Sequence, residues 1–241
     1  MVHDINHLGQ PIGWPVPDWQ APPRPSRDPM TGRLCRLEAL QPEQHAAPLH
    51  AANALDAEGR SWTYMPYGPF ESLAAYRGWL HAASVSEDPL FFAIVDRADE
   101  QPLGVASYLR IAPDSGCIEV GHIHYSPKMQ RSPIATEAMF LMMQRVFDLG
   151  YRRYEWKCDA LNAASRAAAQ RFGFSFEGIF RQATMYKGRN RDTAWYAVVD
   201  AEWPALRRAL SRWLAPDNFD AQGEQRMRLS ELTRPLLANE G

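Results

Sequence analysis

Residues 117–149, CIEVGHIHYSPKMQRSPIATEAMFLMMQRVFDL, restrict the possible folds more than any other stretch of this chain. Residues 118–125 are rich in β-branched and aromatic side chains and alternate apolar with polar, which predicts a strand. Ser126, Pro127 and Lys128 predict a turn. The spacing of Ile134, Ala138, Leu141, Met142 and Val146 predicts an amphipathic helix over residues 133–149. A strand feeding a helix N-terminus presents backbone N–H groups without intrahelical partners, a ready site for phosphate oxygens. The same start, with proline in the first helical position, is also complete without any ligand.

The flanking segments supply the rest of a single layered domain. Residues 33–39 alternate as a first strand, and Pro42 in a first turn opens a helix to about residue 53. An aromatic loop, WTYMPYGPF (62–70), leads into a second helix over 71–83. PLFFAIVD (89–96) and PLGVASYLRI (102–111) read as a hairpin feeding the opening strand. After the long helix come a strand over 153–158, an alanine-rich helix over 162–172 that Gly173 stops, and a strand over 174–180. A basic loop, KGRNRD (187–192), separates that from a strand over 193–199, and a last helix spans 201–214. This order predicts one α+β domain around a mixed sheet. Residues 1–32 stand apart: their prolines fix φ and remove ladder donors, so an extended arm is expected, laid by Trp14 and Trp19 across the domain or across a partner subunit. Residues 215–241 read as a polar tail with a weak helical patch near 229–237.

Composition excludes several classes. The formal charge of −2 gives no general case for nucleic acid or an anionic membrane. No apolar run is long enough for a span, and the first ten residues hold no apolar signal core, so a cytoplasmic protein is expected. Cys35, Cys117 and Cys158 are an odd, widely spaced set, which argues against a disulfide framework and against a metal site.

Chemistry-bearing residues cluster on the opening stretch and its neighbours. The N–H groups of Arg131, Ser132, Ile134 and Ala135 are placed to hold a pyrophosphate, with charge from Arg131 and a hydroxyl from Thr136. Glu119, His122 and His124 share one strand, and simple alternation puts the two histidines on one face and Glu119 on the other. His122, with an ordinary pKa near neutrality, is the leading general base, and Glu119 acting through water the second; a strand histidine satisfied by a neighbour accounts for the residue equally well. Asn162 and Ser165 lie three apart on one helix face, as ligand contacts or as a plain N-cap. Lys187, Arg189 and Arg191 form a basic cluster, as a phosphate contact or a solvated face, with Asp192 expected to pair with one of the arginines. Trp62, Tyr64, Tyr67 and Phe70 suit a wall of an acceptor pocket or plain hydrophobic anchoring.

In this order the segments resemble the GNAT superfamily of acetyl-CoA-dependent N-acetyltransferases, and in particular its RimJ/RimL-like branch. WTYMPYGPFES is similar to that branch's aromatic loop, IEVGHIHYSP to its central strand and IATEAM to the start of its cofactor helix. LNAASRAAAQRFGFSFEGIFR and GRNRDTAWYAVVDAEW are similar to its asparagine–serine helix and closing strand. The likeness covers residues 33–214, with 1–32 as arm and 215–241 as tail. It implies a mostly antiparallel sheet with helices on both faces and one splayed parallel pair, whose free edge at Ile123, His124 and Tyr125 pairs with pantetheine. It also implies a cofactor turn at Gln130 to Ala135, with Pro133 where the family has glycine, and a cofactor contact at Asn162. The tyrosine that many relatives use as acid, four residues beyond Ser165, is Ala169 here, so Ser165, Tyr186 or water is left to protonate the thiolate. The expected activity is direct acetyl transfer from acetyl-CoA to a primary amine of a protein or small molecule, in a chain that forms a homodimer. The rival expectations are a GNAT-fold acyl-CoA sensor without catalysis, supported by Pro133 and Ala169, and an assembly protein that uses the arm.

Overall fold

The computed structural model describes residues 3–240. Its main sheet has eight strands in the order β3 (Met30–Thr31), β4 (Cys35–Ala39), β5 (Leu90–Asp96), β6 (Pro102–Ala112), β7 (Cys117–Tyr125), β8 (Arg153–Asp159), β10 (Arg189–Val199) and β9 (Ser175–Tyr186). Among the described residues every neighbouring pair is antiparallel except β7 and β8. A separate two-residue hairpin, β1 (Asp4–Ile5) with β2 (Pro11–Ile12), lies in the arm.

Helices cover both faces. The apolar sides of α1 (Pro42–Asn53) and α2 (Leu73–Val85) bury Leu49, Tyr76 and Leu80 against Phe91, Ala93 and Val105. On the opposite face α3 (Pro133–Asp148), α4 (Ala163–Arg171), α5 (Trp203–Leu214) and α6 (Leu229–Thr233) close over Tyr108, Ile118, Val120, Tyr154, Trp156 and Tyr196. This arrangement is the α+β sheet expected, with helices on both faces. The helices begin where their caps require: Ser132 Oγ accepts from the Ala135 N–H and Asn162 Oδ1 from the Ser165 N–H.

Three expectations change. The basic loop expected at 187–192 is a tight turn, because β9 runs on to Tyr186 and β10 starts at Arg189, pairing with it directly. The domain begins before residue 33, where the arm was expected to end: Met30 and Thr31 pair with Leu37 and Arg36, and Met30 is buried in the core. The polar tail folds back as well, with Leu229 fully buried and the Asn239 carbonyl accepting from the Phe176 N–H on the outer strand.

Candidate active site

The site begins where β7 parts from β8. Their parallel ladder joins Cys117–Val120 to Arg153–Trp156 and stops there. Beyond Val120 the strand keeps its antiparallel partner β6 but has no ladder on the other side. The ladder to β6 contains a bulge: Gly121 sits opposite Ser107 and His124 opposite Val105, so His122 and Ile123 share one partner position. His122 takes a positive φ of 50° to make that turn.

The bulge overturns the expected division of faces. One extra residue reverses the two-residue alternation, so His124 comes to the same face as Glu119 and Gly121. Rather than opposing one another, Glu119, His122 and His124 all lie on the α1/α2 side. Phe91 on that side lies 5.2 Å from the His122 ring.

Each of the three has a distinct environment. Glu119 is 3 % exposed and forms ion pairs with Arg110 at 2.7 Å and Lys157 at 3.0 Å. Burial lifts its carboxyl above the usual value, opposed by the two cations. His122 lies parallel to the Tyr67 ring, and its Nδ1 is 2.9 Å from the Tyr67 hydroxyl. His124 stacks on Trp62 at 3.6 Å, and its Nε2 is 2.9 Å from Ser61 Oγ. Neither imidazole has the near-neutral pKa expected of His122. Burial pushes both down to about 4, helped at His122 by Arg110 and Arg191 and opposed at His124 by Asp56. Both rings are therefore neutral at physiological pH.

The aromatic loop lies directly over these histidines. Lys187 Nζ donates to the Trp62 carbonyl at 2.8 Å, and the Tyr64 hydroxyl donates to the Leu161 carbonyl at 3.2 Å. The loop is thus tied to the β9–β10 turn and to the segment before α4. Phe70 meets the Trp62 ring edge-on at 5.5 Å and belongs to the hydrophobic anchoring of the loop. Lys187 thus reaches the aromatic loop through its ammonium group, although both it and Arg189 are exposed residues. Asp192 does not pair with an arginine: its carboxylate accepts from the Gln182 N–H and from Asn190 Nδ2.

The turn before α3 fits an anionic ligand in part. Pro133 occupies the first helical position after the Ser132 cap. The Ser132 N–H donates to the Met129 carbonyl and the Ala135 N–H to Ser132 Oγ, so two of the four expected donors are already engaged. The Arg131 and Ile134 N–H groups make no hydrogen bond among the described residues, and Arg131 holds a left-handed φ of 59°. Thr136 is fully buried and its hydroxyl accepts from Arg171, which removes it from the surface of the turn. The Gln130 side chain donates to the Tyr125 carbonyl at 3.0 Å, so that acceptor on the strand is taken.

Beside the gap, Ser165 Oγ accepts from the Trp156 indole at 3.0 Å, and Asn162 serves as the N-cap of α4. The Tyr186 hydroxyl donates to Asp159 at 2.8 Å; desolvation and that bond push it up to about 12, which makes it a poor acid. Burial raises the Cys158 thiol too. Sequence reading missed Asp56, Ser61, Lys157 and Asp159. Ser61, Lys157 and Asp159 bond to His124, Glu119 and Tyr186, all distant in the chain, and Asp56 bonds to Ser61; no local pattern marks any of them.

A family model described as an acetyltransferase (GNAT) domain matches residues 35–175. The chain belongs to the GNAT acetyltransferases. A GCN5-related N-acetyltransferase from Brucella melitensis is 48 % identical over 91 % of this chain and 100 % of its own, with a TM-score of 0.89. A probable GNAT-family acetyltransferase from Chromobacterium violaceum ATCC 12472 is 39 % identical over 81 % and 98 %, with a TM-score of 0.76. In fold alone the chain is similar to RimL, a ribosomal L7/L12 alpha-N-protein acetyltransferase, at 21 % identity over 71 % and 94 % with a TM-score of 0.62. No curated protein sequence matches the chain. Within this GNAT domain the position four beyond Ser165 is Ala169, fully buried in the core. Among the described residues no group of three or more histidine, cysteine, aspartate or glutamate side chains could hold a metal ion, and no helix is long and apolar enough to cross a membrane.

Proposed function

We propose that this chain moves acetyl from acetyl-CoA to a primary amine by direct attack in a ternary complex. The observation that carries the reading is the open side of β7 beyond Val120, which ends at a turn with two free N–H donors. Backbone groups on an open strand need a partner, and an extended amide chain such as pantetheine supplies one. Ile123, His124 and Tyr125 border that opening; Arg131, Ile134 and their neighbours in the turn suit the pyrophosphate. A backbone N–H at the opening would stabilise the negative charge that develops on the thioester oxygen.

The side chains favour direct attack over an acyl-enzyme. Burial pushes the Cys35 and Cys158 thiols away from the reactive thiolate. Of the two expected bases, Glu119 is tied into two ion pairs, whereas His122, like His124 on the same strand, is neutral and able to accept a proton. Trp62, Tyr64 and Tyr67 wall the approach to them, which suits an acceptor with a flat or apolar part next to its amine. The RimJ/RimL-like motifs of the sequence favour a peptide α-amine within the wider amine class. A cytoplasmic homodimer fits this reading.

Titration calorimetry with acetyl-CoA, followed by thiol release over free amino acids, spermidine and short peptides with free α-amines, tests it. Binding with thiol release from at least one amine is the expected result. Binding without release from any amine would leave the sensor reading, favoured by Pro133 and Ala169. Absence of binding at millimolar acetyl-CoA would end both.

A further inference from the structure

Asp56 and Ser61, in the segment between α1 and the aromatic loop, form a chain of hydrogen bonds that ends on His124. Ser61 Oγ donates to Asp56 Oδ2 at 2.7 Å, and the same oxygen accepts from the Ser61 N–H at 2.8 Å. Asp56 Oδ1 accepts from the Arg60 N–H at 3.1 Å. Desolvation opposes its charge, but these bonds hold the Asp56 carboxyl below the usual carboxylate value, so it is an ionised acceptor. A hydroxyl has one proton to give. Since Ser61 gives it to Asp56, the 2.9 Å contact with His124 has one polarity left: Nε2–H donates and Ser61 Oγ accepts. His124 is then the Nε2–H tautomer, and Nδ1 carries the free lone pair. That ring is 5 % exposed and held flat by Trp62, and Nδ1 makes no hydrogen bond among the described residues.

We infer that Asp56 and Ser61 are positioning residues that lock His124 in this tautomer, and that His124 Nδ1 takes the proton from the acceptor amine as the C–N bond forms. The inference rests on the acetyl-transfer reading above. The amine sheds its first proton to solvent and binds neutral. Its lone pair attacks the thioester carbon, and the nitrogen, now positively charged, becomes strongly acidic, so a weakly basic imidazole suffices to accept its proton. The C–S bond breaks, the thiolate leaves, and the proton on Nδ1 passes to it or to solvent. The imidazolium that exists in between is stabilised by Asp56 through Ser61. His122 is placed differently, since its Nδ1 already meets the Tyr67 hydroxyl.

The test joins a spectroscopic readout to a kinetic one. Nitrogen-15 NMR of histidine-labelled protein, with His124→Gln to assign the signal, is expected to show the Nε2–H tautomer. Ser61→Ala and Asp56→Asn should abolish or invert it, and Ser61→Thr, which keeps the hydroxyl, should retain it. In thiol release with acetyl-CoA and the most active amine of the panel, His124→Gln should lower kcat on the order of 100-fold and Ser61→Ala roughly tenfold, with KM for acetyl-CoA unchanged. Ser61→Thr should restore the rate. A wild-type Nδ1–H tautomer, or a fully active Ser61→Ala enzyme, overturns the inference. Should Ser61→Ala fail to fold, the Asp56→Asn and Ser61→Thr pair carries the same comparison. Absence of thiol release with every amine removes the acetyl-transfer reading and the proton role of His124 with it, while the NMR result still decides the tautomer lock.

Discussion

A neutral buried histidine stores a dependence on acidity. His122 and His124 titrate near 4 in the folded chain against an ordinary 6.5. Between those values the unfolded chain binds protons that the folded one excludes, so stability falls as pH is lowered from 6.5 towards 4. Each histidine contributes up to about 1.4 kcal/mol per pH unit in that window. Urea midpoints measured at pH 7 and pH 5 should therefore differ, and His124→Gln should flatten the difference; equal slopes in both proteins would contradict the assignment. Pro133 carries a second residue-scale prediction. Pro133→Gly frees a donor and removes the ring from the turn, so acetyl-CoA should bind several-fold tighter by calorimetry. The same change loosens the unfolded chain and should cost roughly 1 kcal/mol of stability.

At the scale of elements, the link between α3 and the start of β4 concentrates in one side chain. Glu137, 5 % exposed, accepts from the N–H groups of Arg33 at 2.9 Å, Leu34 at 2.6 Å and Cys35 at 2.8 Å. Gly32 lies so close that an added Cβ would sit 2.4 Å from the Glu137 carboxylate. Glu137→Ala removes the acceptor of three donors, the Cys35 N–H among them fully buried, and should cost about 3 kcal/mol in equilibrium unfolding. Gly32→Ala should destabilise as well, by displacing the same carboxylate. Helix periods, caps and hairpin turns are local, and for that reason α1 to α5 and β5 to β8 were legible within a few residues. The run of β9 to Tyr186 and the start of β10 at Arg189 were not, because residues 181–192, RQATMYKGRNRD, are largely polar and become strands only by pairing with each other.

Across the whole molecule, the N-terminal segment divides in two. Arg24 and Arg27 bond to the carbonyls of Glu87, Ile111 and Ser86, and Arg145 grips those of Asp28 and Pro29, so residues 24–31 are built into the domain. Ile5, Leu8, Ile12, Trp14 and Val16 are all exposed. Deleting residues 1–18 should leave the melting temperature nearly unchanged, whereas deleting 1–31 removes β3 and buried Met30 and should lower it clearly; equal melting of the two truncated chains would refute that division. The strand-to-helix stretch over 117–149 was determined by its own residues, since alternation, a proline-containing turn and a 3.6-residue period act within a few positions. From those and its neighbours followed the order of elements and the family. Only the tertiary structure decided which way the site's side chains face. A bulge paired against β6 moved His124 to the side of Glu119, burial took both histidines out of the neutral range, and Ser61 reached His124 across 63 positions of chain. Those effects depend on what packs against a residue from afar, and periodicity along the chain carries no record of it.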